Sequence, residues 1–70
     1  MQTAIREAIV HESAVQLGIR LMRGEEHPDF PGLFCQRVTV KMNPGSDHAT
    51  LTMHYEDMPD PDHFILEKAQ

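Results

Sequence analysis

A single cysteine, Cys35, stands in seventy residues, so no disulfide can form within the chain. No apolar run approaches the roughly 20 residues that a membrane span requires. Arg6, Glu7, His11 and Glu12 interrupt the N-terminal stretch where a signal peptide would need unbroken apolar residues, so a cytoplasmic protein is expected. Basic residues are few. Eleven acids against six Lys and Arg give a net charge of −5, the wrong sign for gripping phosphates, so direct nucleic-acid binding is disfavoured. Repeats, low-complexity segments, glycine-rich phosphate loops and the CxxC, HxxxH and HExxH spacings are all missing. Of the devices that usually stabilise a domain this small, metal and oligomerisation remain.

What is present reads as one small α+β domain. Residues 3–23 lack proline, are rich in helix formers and stop at Gly24, which predicts one long N-terminal helix. At 100° per residue, Ala8, Val10, Ala14, Val15, Leu17, Ile19, Leu21 and Met22 fall on an apolar arc of roughly 200°, wider than one core face needs. Residues 24–34, GEEHPDFPGLF, carry two prolines and two glycines and read as a loop.

The period then changes to two. Val38, Val40 and Met42 alternate with Arg37, Thr39 and Lys41, and Ala49, Leu51, Met53 and Tyr55 alternate with Thr50, Thr52 and His54. Two strands, about 35–42 and 49–56, joined by the turn residues NPGSD, predict an antiparallel hairpin. One register satisfies both patterns: Met42 with Ala49, Val40 with Leu51, Val38 with Met53, Lys41 with Thr50, Thr39 with Thr52 and Arg37 with His54. The long helix is expected to cover the apolar face. In the last segment Asp60, Pro61 and Asp62 have the chemistry of a helix start, so a short helix over about 61–69 is preferred to a third strand, giving an α-β-β-α order.

Several residues stand out against this frame. Ile5 and Ile9 fall on the otherwise polar side of the expected helix, which suggests a subunit or partner contact. His11 lies near the middle of the apolar arc, where a core or interface histidine bonded to Glu7 is the plain reading and a pH-sensitive partner contact the sharper one. Gly18 costs about 1 kcal/mol relative to alanine in a helix, so a close neighbour should compensate. Phe30, in the proline-braced loop, suits a docking point or a cap on the core, together with Phe34. Cys35 opens the first strand on the polar parity, opposite Glu56 and diagonal to His54, though a catalytic pair would lack an electropositive setting.

The acidic stretch HYEDMPDPDH, residues 54–63, could supply His54, Glu56 and His63 to a metal or catalytic site, but the spacing matches no zinc or calcium motif. It reads more simply as an acidic junction in which Glu56 and Asp57 are left for partner contact. The expectation is therefore a non-enzymatic protein-binding module, a small acidic regulator, adaptor or inhibitor acting as a homodimer, without cofactor or metal. Its charge suits a basic partner surface. The alternatives are a small metal-binding or catalytic protein and a structural subunit of a larger assembly.

Overall fold

A computed structural model describes residues 2–57 and 64–69. Its elements are β1 (Thr3–His11), a 3₁₀ turn (Glu12–Ala14), α1 (Val15–Met22), β2 (Phe34–Met42), β3 (His48–Glu56) and β4 (Ile65–Ala69). The strands form one mixed sheet in the order β1-β3-β2-β4. β3 is antiparallel to both its neighbours, and β4 runs parallel to β2.

The protein is therefore mostly β, with one short helix, and the expected α-β-β-α arrangement is overturned. β3 dictates the layout. Its Ala49, Leu51, Met53 and Tyr55 are at most 2% exposed, so their alternation needs apolar cover on one face and a strand on each side. The hairpin supplies one flank, and its six expected cross-strand pairs are those found, from Met42 with Ala49 to Arg37 with His54. The other flank is β1, where Ala4, Ala8 and Val10 stand opposite Tyr55, Leu51 and Ala49.

The N-terminal part of the expected long helix, Thr3–His11, is thus a strand. Helix propensity over Ala4, Arg6, Glu7 and Ala8 is a weak prior, and tertiary pairing with β3 outweighs it. Thr3, Ile5, Ile9 and Val10 are β-branched and fit a pleated sheet. The strand ends where Glu12 N–H donates to the Asp47 carbonyl at 2.8 Å and the His11 side chain accepts from Ser13 N–H at 3.1 Å. Only then does α1 begin. It closes with Arg23 N–H on the Ile19 carbonyl, Glu25 N–H on the Met22 carbonyl, and Gly24 in the left-handed region at φ +73°, a conformation that favours glycine.

α1 lies over the apolar face, with Ile19 buried and Val15 and Met22 packed against the same core. A Cβ on Gly18 would sit 3.2 Å from the Leu51 Cδ1 atom, so the close neighbour expected at this glycine is a sheet side chain. Below the helix, residues 24–33 fold back over the same face. Leu33 and His27 are buried, and the His27 ring packs at 4.8 Å on both Phe30 and Tyr55.

Two further expectations are corrected. A β-bulge between Cys35 and Arg37 shifts the register, so Cys35 pairs with Tyr55 and faces the core at 0% exposure, while Phe34 stands opposite Glu56. The last segment is a strand rather than a helix, added beside β2, and the proposed cap at Asp60, Pro61 and Asp62 lies outside the described residues. Leu51 sits at the centre of the core, beneath Gly18 and between Ala8 and Val40. Truncation by Leu51→Ala is expected to cost about 2–5 kcal/mol, measured by urea unfolding.

Candidate interaction surface

Because side chains alternate across a strand, the sheet presents a second face, and no described helix or loop covers it. Its three central rows lie between the Thr3 and Glu56 pair at one end and the His11 and His48 pair at the other. The first is Ile5, His54, Arg37 and Ile65; the second is Glu7, Thr52, Thr39 and Glu67; in the third, Ile9, Thr50 and Lys41 pair in turn. Ile5 is 62% exposed, Ile9 69% and Ile65 49%. The two isoleucines that looked misplaced on a helix are here neighbours on one face of an edge strand, two positions apart in the alternation.

The charge on this face has a simple plan. Arg37 and Lys41 form a basic column along β2, and Glu7 and Glu67 flank it on β1 and β4. Arg37 Nη1 lies 3.5 Å from Glu67 Oε1 across a half-exposed surface, a contact that contributes little to stability. Arg37 Nε is buried without a hydrogen-bond partner. Burial, and next the Arg37 guanidinium, hold the His54 imidazole below its usual value of 6.5, against a weaker opposing pull from Glu67 and Glu56. His54 is therefore neutral at pH 7, and the face carries basic charge through Arg37 and Lys41. A shallow cleft of about 190 Å³ opens at this end, lined by Thr3, Ala4, Ile5, Arg37, His54, Tyr55 and Glu56.

The other singled-out residues disperse. His11 is exposed at the end of β1, away from the core in which the helical reading placed it. Its Nδ1 lies 2.8 Å from Ser13 Oγ and accepts the Ser13 N–H, so Nε2 carries the proton toward Asp47 Oδ2 at 3.0 Å. His48 Nδ1 contacts the other oxygen of Asp47 at 2.8 Å. The order serine, histidine, aspartate has the distances of a nucleophile relay, yet these groups stand on open surface and line none of the described clefts. Their work is to tie the end of β1 to the β2–β3 turn. Glu7 points to the open face and does not meet His11.

Cys35 and His54 lie on opposite faces of the sheet and cannot act together. Burial pushes the Cys35 thiol up to about 11, so it is inert at neutral pH. Phe30 is 54% exposed and borders a hollow of about 220 Å³ with Gln2, Thr3 and Leu33. Glu56 closes β3 on the open face, and the Asp57 carboxylate accepts the Gln2 N–H at 3.0 Å. His63, the third member of the imagined ligand set, lies outside the described residues. Among the described residues no group of three or more His, Cys, Asp or Glu could hold a metal ion, and no helix is long and apolar enough to cross a membrane.

Sequence reasoning missed Ile65 on the open face and His27 in the core. Phe64, Ile65 and Leu66 are consecutive, so no period marked which faced where. His27 sits among proline and acidic residues, where nothing signals burial. Comparison of the chain with protein-family models, curated proteins and solved structures returns no match.

Two measurements check this account of the site. An NMR titration should give His54 a midpoint below 6.5. The unfolded chain then binds more protons at this site, so its contribution to stability is present above the unfolded value and is lost as pH falls through the depressed folded one. The Cys35 thiol should react with Ellman's reagent only as fast as the protein opens, and fully in denaturant.

Proposed function

We propose that the chain is a non-enzymatic protein-binding module that works through the open face of its sheet. The observation that carries the reading is the exposure of Ile5, Ile9 and Ile65 on one uncovered four-stranded surface. Single exposed apolar residues are ordinary, and Glu7, His54 and Arg37 stand between these three; what supports the reading is that all three share one face that no described element covers. The threonines and the charged column lie between the isoleucines of the two edge strands, so the face would offer a partner polar and apolar contacts side by side.

A second feature suits the role of regulator or adaptor. Glu25, Glu26, Asp29, Glu56 and Asp57 border the end of the sheet where β1 starts and β3 finishes. With a net charge of −5, this end favours a basic protein surface over an acidic one.

The test is capture of partner protein by tagged wild type, Ile5→Asp and Ile9→Asp. Neither isoleucine belongs to the core, so both variants should keep wild-type circular dichroism and unfold within about 1 kcal/mol of wild type. Binding should fall at least about tenfold in each, since a charge placed in an apolar contact is left unpaired. Full retention of partner by both variants would show that the open face is not the binding surface.

A further inference from the structure

We infer that the partner seated on the open face is a second copy of this chain, packed sheet on sheet with its strands crossing at near right angles. The inference rests on the reading of that face as an interaction surface. The argument comes from the placement of charge. The acids Glu7 and Glu67 lie in a row across the strands, the bases Arg37 and Lys41 lie in a column along β2, and row and column intersect at Thr39.

Strand spacing and rise set the scale. Arg37 and Lys41 stand about 7 Å to either side of Thr39 along β2, while Glu67 is about 5 Å and Glu7 about 10 Å away across the strands. A two-fold axis in the plane of the interface, bisecting row and column, lays the column of one copy over the row of the other. Lys41 then falls on Glu67 of the second copy, and Arg37 falls between Thr52 and Glu7 of the second copy. The same operation brings Ile9 over Ile65 and sets Ile5 beside its own symmetry mate. Every basic group meets an acid and every exposed isoleucine meets an isoleucine.

Aligned packing of two copies lays acid row on acid row and does not have this property. Orthogonal sheet packing is an established class of contact, and an isologous two-fold interface is the usual form of a homodimer. The need for such a contact is also visible. Among the described residues nine hydrophobic side chains are buried in a single copy, and no disulfide can form within the chain, so a second copy would add burial that one copy lacks.

Charge reversal gives a test that keeps folding separate from association. The variant R37E/K41E makes both row and column acidic, and E7K/E67K makes both basic. Each alone is expected to sediment as a monomer with wild-type circular dichroism, its dimer dissociation constant raised at least about tenfold by like charges across the contact. An equimolar mixture of the two should restore the dimer, and so should the four substitutions combined in one chain, because row and column exchange under the same axis. Under mild oxidation, Ile5→Cys should cross-link to its own copy readily and Ile9→Cys poorly.

Wild type that sediments as a monomer at all concentrations would overturn the second copy as partner while leaving the open face to the partner-capture test above. A wild-type dimer unmoved by either pair of reversals and by Ile5→Asp would overturn the second copy on the open face, while the partner-capture test above still decides whether that face binds another protein. A dimer broken by the reversals but not rebuilt in the mixture would overturn the crossing angle.

Discussion

The alternation of Ala49, Leu51, Met53 and Tyr55 along β3 is the constraint on which the rest of the structure depends. These side chains lie at 0–2% exposure, and among the described residues no other strand is so fully enclosed. Burying them requires a strand on each flank and a layer above. β1 and β2 provide the flanks, α1 and residues 24–33 provide the layer, and the pairing of β1 with β3 takes precedence over the helical tendency of residues 3–11. The alternation also determines what is left over. Whatever turns toward the core on β3 leaves Thr50, Thr52 and His54 on the far side, and the flanking strands bring Ile5, Ile9, Arg37 and Lys41 beside them.

How much of this was legible follows from the kind of signal each segment carries. The hairpin was readable because two period-two patterns and a turn rich in Asn, Pro, Gly and Asp agree on one register, and the Arg37 and His54 pair came with it. β1 was not readable as a strand. Its core-facing positions are Ala4, Arg6, Ala8 and Val10, and small or long-stemmed residues there leave no clear alternation, while alanine and glutamate mimic a helix. The trace of the truth was that Ile5 and Ile9 did not fit the helical arc. The bulge at Gln36 was invisible as well, since a single extra residue reverses the facing of Cys35 without any mark in the local sequence. β4 depends on its parallel neighbour for identity, and three consecutive apolar residues say nothing about period.

The same economy explains the link between stability and association. One eight-residue helix and a loop cover one face of a four-stranded sheet, and nothing described covers the other. A chain of this length buries a modest share of its surface by itself. An open face that carries isoleucine together with crossed rows of opposite charge can gain stability from a partner while disfavouring aligned packing about the same centre, which sets acid row against acid row. Stability and specificity then come from one surface, while the acidic end of the sheet is left free for other contacts.

Methyl NMR with a soluble paramagnetic probe, followed across protein concentration, tests this central claim most directly. As concentration rises, the methyl groups of Ile5, Ile9 and Ile65 should become shielded from the probe, while those of Leu17 and Leu21, which are 59% and 68% exposed on the helix side, should stay equally accessible. Shielding of the helix leucines with the sheet isoleucines unchanged, or no change in any of them, would contradict the account.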